Sequence, residues 1–313
     1  MEYFFIVGCG RSGTTWLRML LAQHSAVASP RETHLFDRYV SRLYEAWKEE
    51  PTTGGGVGLQ AVLTEDQFAT LCADFTRGVM QHIAEANPGA KVVVEKTPGH
   101  VRHVPLILKL LPDTHFIHMV RDPRSVVASL CAAGRSWGRS WASTSPAQNA
   151  RLWASAVSAG RAITSLTNHH TTVKYESLLE PSGWQVLKDL FGQMHLEVND
   201  VFCQNALKEC TIDQLRKKSE DRQSRGNVGA PPTEFFRKGK ADSWTSELSV
   251  RDVEVIEYIA GDLMREYGYP TSTKFASHRR KPLRLKAHDL LESLEWRANR
   301  TIAIAFRKAK SLV

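Results

Sequence analysis

Residues Phe4 to Leu21 read FFIVGCGRSGTTWLRMLL. The apolar opening predicts a short buried strand, Gly8-Cys9-Gly10-Arg11-Ser12-Gly13 a tight loop, and Thr14 onward a helix with Trp16, Leu17, Leu20 and Leu21 on one face. Strand, glycine loop and helix in that order build a cradle for an oxyanion. The glycines let backbone N–H groups turn inward, the helix N-terminus adds partial positive charge, and Ser12, Thr14 and Thr15 bring hydroxyls.

Gly8 and Gly13 stand at the spacing of the two glycines in a Walker A loop, but Thr14 occupies the place where that motif requires lysine. Without the lysine, the outer phosphates of ATP or GTP lose their main cation, which disfavours a nucleoside triphosphatase. The cation here is Arg11, inside the loop. A cationic residue followed by SGTTWL resembles the 5′-phosphosulfate loop of sulfotransferases that use 3′-phosphoadenosine 5′-phosphosulfate (PAPS). The resemblance implies a P-loop-like α/β fold, a central parallel sheet of four to five strands flanked by helices. It also implies that Arg11, Ser12, Gly13, Thr14, Thr15 and Trp16 meet this co-substrate, although Trp16 fits a helix core equally well.

The chain has 313 residues, 42% hydrophobic and 24% charged, an ordinary globular composition. No run of about 18 apolar residues predicts a membrane span. The first strand begins at Glu2-Tyr3, which leaves no room for a leader or for the N-terminal anchor typical of Golgi sulfotransferases. Five cysteines, Cys9, Cys72, Cys131, Cys203 and Cys210, are scattered and form no CxxC pair. They fit reduced cytoplasmic thiols better than disulfides or a zinc site. The formal charge of +8 lies in the tail: Lys274 to Val313 holds eleven Lys or Arg against three Asp or Glu, and residues 1–273 balance. The expected division is a sulfotransferase domain over 1–273 and a basic amphipathic helical tail over 274–313.

Further along, SPRETHLFD (Ser29–Asp37) reads as a loop into a helix over Arg38–Glu49, and Glu65–Ala86 as a long helix. Lys91–Glu95 is a second strand, followed by Lys96-Thr97-Pro98-Gly99 and a helix over His100–Leu111. His115–Val120 is a third strand; Asp122 can cap and Pro123 open the helix after it. A helix over Pro146–Thr167 precedes a fourth strand, Thr171–Tyr175. Alternation at this spacing predicts a parallel sheet with every C-terminal strand end on one edge, where ligands bind. Arg11, Lys96, Arg121 and Tyr175 all fall there.

Arg121 closes a strand and Ser129 follows eight residues later, two helical turns on, so both can reach one anion. The pair resembles the 3′-phosphate motif of PAPS sulfotransferases. Arg237-Lys238-Gly239 with Trp244 resembles the family's late R-K-G…W element, which closes over the same phosphate, although its usual second glycine is absent. Tyr175, like Trp16, matches a position where the family places an aromatic adenine contact. Glu95-Lys96-Thr97-Pro98 resembles the EKTP stretch of glycosaminoglycan sulfotransferases and the matching lysine of tyrosylprotein sulfotransferases. The branches closest in motif are therefore these two, with this chain a soluble member of bacterial type. The histidine that follows K-T in many cytosolic sulfotransferases is replaced by Pro98, so the resemblance passes the role of base to Glu32, in ETHLFD, with His34 and His100 as alternatives.

The implied reaction is in-line sulfuryl transfer to an acceptor hydroxyl. Glu32 takes the proton, while Arg11 and Lys96 hold the sulfate and the bridging oxygen. No metal is called for, and no nucleic acid. The acceptor is expected to be a carbohydrate or glycolipid, with a protein tyrosine or a small alcohol as alternatives in the same class. A P-loop nucleotide kinase and a non-catalytic nucleotide-binding module are the alternatives outside it. Cys131–Pro146, with Trp137, Trp141, Arg135 and Arg139, suits stacking on rings and pairing with anions, or is a mere connector. Arg216–Pro232 reads as a lid. Apolar residues at helical spacing over 284–310 predict a helix that docks on the body, makes a homodimer contact or lies on an anionic inner-membrane surface.

Overall fold

The computed structural model describes residues 1–49, 58–224, 233–237 and 239–272. Lys238, the end of the expected lid and the amphipathic stretch 284–310 lie outside the described residues.

Five strands, β1 (Glu2–Gly8), β2 (Val27–Ala28), β3 (Val92–Lys96), β4 (His115–Val120) and β5 (His170–Lys174), form one sheet in the order β2-β3-β1-β4-β5. Every pairing is parallel. The register sets Ile6 beside Lys96 and Ile117, Gly8 beside Met119, and Val120 beside Lys174. The chain leaves β1 toward one side for β2 and β3, then crosses to the other for β4 and β5, so the crevice beyond Gly8 is the topological switch point.

The unbroken apolar run FFIV follows from this central place, because both faces of β1 are covered. Phe5 and Val7 join one core with Phe36, Met80, Ile107 and Trp153. Phe4 and Ile6 join the other, with Leu17, Leu20, Leu21, Leu187 and Phe191. The helices are α1 (Thr14–Leu21), α2 (Ser41–Lys48), α3 (Glu65–Glu85), α4 (Val104–Leu110), α5 (Pro123–Arg135), α6 (Pro146–Ala162), α7 (Gly183–Gln193), α8 (Asp200–Glu209), α9 (Ile212–Ser224) and α10 (Val250–Glu266). None among the described residues is long and apolar enough to cross a membrane.

The observed elements depart from the sequence reading in several places. The helix expected from His100 is a 3-10 stretch, Pro98–His103, before α4, because Pro105 has no N–H to continue a helical ladder. The helix expected from Arg38 opens with a wide turn, Leu35–Val40. The two-residue β2 escaped notice because so short a pairing carries no periodicity.

Candidate active site

The loop after β1 takes its shape from two glycines. A Cβ on Gly8 (φ +144°) would lie 2.5 Å from the Met119 carbonyl oxygen, and one on Gly13 (φ +94°) 2.4 Å from Cδ2 of Tyr175. Tyr175 in turn meets Trp16 edge-on, with centroids 5.3 Å apart, so loop, helix and the end of β5 form one aromatic corner. The Trp16 indole N–H donates to the Cys210 carbonyl at 2.8 Å. Inside the loop Ser12 is fully buried and its hydroxyl has no partner among the described residues.

Arg11 itself adopts the left-handed region (φ 71°). Its Nε donates to Ser129 Oγ at 3.0 Å and its Nη2 to the Phe235 carbonyl at 2.7 Å. Arg121 donates from Nη1 to the Arg11 carbonyl at 3.4 Å and from Nη2 to the Lys240 carbonyl at 3.0 Å, and its guanidinium lies 4.0 Å over the Tyr175 ring. Arg237 donates to the Ala128 carbonyl at 3.1 Å and pairs with Glu247. Burial, then the charges of Arg121 and Arg237, lower the Arg11 pKa to about 10. Arg11 and Arg121 have carbonyls and rings as neighbours but no carboxylate partner among the described residues, and Arg121 Nε is buried without a partner there. Such convergence of like charge is stabilised by a bound anion.

These groups line a cavity of about 490 Å³ that also takes in Gly13, Thr14, Thr15, Trp16, Ser125, Ser129, Tyr175 and Gly239. Its far wall is apolar, built from Leu178, Leu207, Ile212 and Leu215. The late segment closes over it: Ser125 Oγ donates to the Ala241 carbonyl at 2.6 Å, and Trp244 stacks under Arg124 at 4.2 Å. Arg124 is buried and fixed by Asp122 and Glu257, and Asp122 Oδ1 accepts the Arg124 N–H at 2.8 Å as the cap of α5. Ser125 was missed in the sequence, although it stands one turn before Ser129 on the same face of α5; the apolar wall comes from α8, α9 and the short turn Glu176–Leu179, which carry no motif.

At the end of β3, Lys96 is buried, pairs with Glu32 and donates to Thr15 Oγ1 at 3.1 Å. Burial lowers the Lys96 pKa, and Glu32 opposes that. Glu32 also faces His34, whose Nε2 is 3.5 Å from its carboxylate, and His34 Nδ1 is 3.0 Å from Asp37 Oδ2. Burial would raise the Asp37 pKa, but hydrogen bonds from His100 and His34 hold it well below the usual carboxylate range. This alignment of Glu32 by His34 and Asp37 was not foreseen; only the recurrence of charge in ETHLFD could have suggested it.

The structure removes His100 from the candidate bases. It is fully buried, with Nδ1 2.9 Å from Glu95. Burial lowers its pKa, but the hydrogen bonds and charges of Asp37 and Glu95 prevail and raise it to about 9. In the neutral form its Nε2 accepts the Phe36 N–H at 3.1 Å. Neither form offers a lone pair to an acceptor. Arg11, the loop cation, directs its guanidinium to Ser129 and to the Phe235 carbonyl.

A family model described as "Sulfotransferase family" matches residues 4–200. Protein-tyrosine sulfotransferase 2 of Gallus gallus is 28% identical over 133 residues, 42% of this chain and 34% of that protein. The nodulation protein NoeE of Sinorhizobium fredii is 23% identical over 306 residues, 87% of this chain and 67% of that protein. The matches to the first two tyrosine sulfotransferases span 42% and 34% of those proteins' own length. Among solved structures, mouse sulfotransferase SULT7A1 complexed with PAP is 14% identical, with a TM-score of 0.56 and 84% of each chain covered. The sulfotransferase domain from the curacin biosynthetic pathway is 21% identical, with a TM-score of 0.52 and 84% of this chain and 97% of that one covered. Both share this fold.

Proposed function

The chain belongs to the sulfotransferase family, and on that premise we propose that it transfers a sulfuryl group from PAPS to an acceptor hydroxyl of a carbohydrate or glycolipid. The observation that carries this is the convergence of Arg11 and Arg121 on one cavity with a buried, unpartnered Ser12 hydroxyl at its loop and the Trp16–Tyr175 corner at its side. That set fits an anionic purine nucleotide: cations and N–H donors for phosphates, aromatic faces for a base.

In this reading Arg121, Ser129, Arg237, Lys238 and Gly239 hold the 3′-phosphate, while Ser12, Gly13, Thr14 and Thr15 hold the 5′ end. When bound, the co-substrate supplies the sulfuryl group and a leaving phosphate. Glu32 accepts the acceptor's proton at its carboxylate, aligned by His34, and the Lys96 ammonium stabilises the negative charge that builds on the leaving side. Lys96 already touches Thr15 in the first turn of α1, which joins the two halves of the site. Fixed cations meet the charge, so the proposal includes no metal. Five free, buried thiols support a cytoplasmic setting.

A protein tyrosine is the second reading, favoured by the names of the partial relatives. Calorimetric titration with 3′-phosphoadenosine 5′-phosphate, using Arg121→Ala and ATP with Mg²⁺ as controls, tests the co-substrate. Tight binding that is lost in the variant is expected. An ATP isotherm without a 3′-phosphoadenosine 5′-phosphate isotherm would overturn the proposal in favour of a kinase.

A further inference from the structure

The end of α5 and the turn after it form a shelf that the proposed chemistry leaves unused. Gly138 donates to the Ala133 carbonyl at 2.8 Å and accepts from Ala142 at 2.8 Å, while the Asn149 amide holds the Ser143 carbonyl at 2.7 Å. A Cβ on Gly138 would lie 3.1 Å from both the Trp141 ring and the Ala133 methyl, so the glycine lets that indole fold onto the turn. Trp137 and Trp141 stand with centroids 5.3 Å apart at 54°, and Trp137 packs on Phe235 at 5.4 Å. Trp141 is nevertheless 49% exposed. Arg135 and Arg139 are exposed on the same turn, with no carboxylate partner among the described residues.

Arg11 connects this shelf to the reacting groups. Its guanidinium lies 5.5 Å from the Trp137 ring centroid, and Phe235, which lines the same cavity as Arg11, packs on Trp137 at 5.4 Å. An acceptor that approaches the cavity over Arg11 and Phe235 therefore meets Trp137 and Trp141 at its edge. That surface is angled between the two indoles and open at Trp141, not a closed apolar slot. A phenol ring laid there would leave much of its apolar area wet, whereas a pyranose can set its C–H face on the indole and keep its hydroxyls in water. The two guanidinium groups, neither with a carboxylate partner among the described residues, call for carboxylate or sulfate substituents.

We propose that the Trp137–Trp141 shelf, with Arg135 and Arg139, is the acceptor subsite and that the acceptor is an anionic oligosaccharide. This rests on the sulfotransferase reading and narrows it. The test uses the full chain saturated with 3′-phosphoadenosine 5′-phosphate. Indole fluorescence and calorimetry would follow titration with a uronic-acid oligosaccharide, a neutral oligosaccharide of equal length and an acidic tyrosine-containing peptide. The acidic oligosaccharide should bind best. Its affinity should fall about tenfold in Trp141→Ala, recover partly in Trp141→Phe, and fall again in Arg139→Ala. Nucleotide affinity should be unchanged in all three variants. Preference for the peptide, equal binding of acidic and neutral sugars, or full affinity in Trp141→Ala would overturn the subsite while nucleotide binding stood. Loss of nucleotide binding by the unmodified protein would instead bring down the reading beneath it.

Discussion

Glu32 and Lys96 form an ion pair at the sheet edge although they lie 64 residues apart in the chain. One comes from the loop after β2 and the other from the last position of β3, and Thr15 of α1 completes the contact through Lys96 at 3.1 Å. The two groups proposed to handle opposite ends of the transfer are therefore already within one hydrogen-bonded set. Glu32→Gln should lower kcat about 10²–10⁴-fold, the range for loss of a general base, with nucleotide affinity unchanged. Steady-state kinetics beside calorimetry checks this; an active Gln variant would move the base elsewhere.

His34 is expected to act through Glu32. His34→Asn should lower kcat about tenfold, less than the loss at Glu32, without changing nucleotide affinity. Kinetics and calorimetric nucleotide titration of both variants separate this from a structural effect, which would lower nucleotide affinity as well.

Gly13→Ala should be severe for its size. The position has φ +94°, and the added methyl would fall 2.4 Å from the Tyr175 ring. Left-handed backbone alone costs about 1–2 kcal/mol for a residue with a Cβ. Displacement of Tyr175 would also open the aromatic corner. Nucleotide affinity should fall at least about tenfold and the thermal midpoint should drop; a variant that binds normally would show that the corner does not contact the ligand.

Ser125 was found only in the folded chain, where its hydroxyl donates to the Ala241 carbonyl at 2.6 Å and ties the late segment to α5. Ser125→Ala should weaken nucleotide binding about threefold to tenfold, the worth of one net hydrogen bond. Off-rates measured by displacement of a fluorescent nucleotide should rise by the same factor.

His118 makes stability depend on pH. It lies in β4 at 1% exposure with neither ring nitrogen partnered among the described residues, against Gly160 and near the Tyr267 ring. Burial, with the charge of His170 adding to it, lowers its pKa to about 4. The unfolded chain binds a proton near pH 6.5 that the folded chain refuses, so stability is full above that pH and is lost as pH falls toward 4. The loss amounts to about 3 kcal/mol. Urea unfolding of the wild type and of His118→Leu at pH 7.5, 6, 5 and 4 should show this slope only in the wild type.

How much of this was legible beforehand differs from residue to residue. Phe4–Leu21 announced strand, loop and helix because each is set by neighbours a few positions away: an apolar run, two glycines that must take positive φ, and a helical apolar stripe. Arg121 and Ser129 were legible for the same reason, since eight residues on a capped helix fix where both stand. The sequence by itself thus determined the parallel α/β fold and the placement of Arg11, Lys96, Arg121 and Tyr175 at one end of its sheet. Tertiary structure alone decided where their side chains point. Arg11 turns to Ser129 and to Phe235, partners 118 and 224 positions away, and His100 disappears between Glu95 and Asp37. The physical reason is range: backbone geometry is governed by adjacent residues, whereas a side chain's burial and charge environment depend on segments brought beside it only when the whole chain has packed.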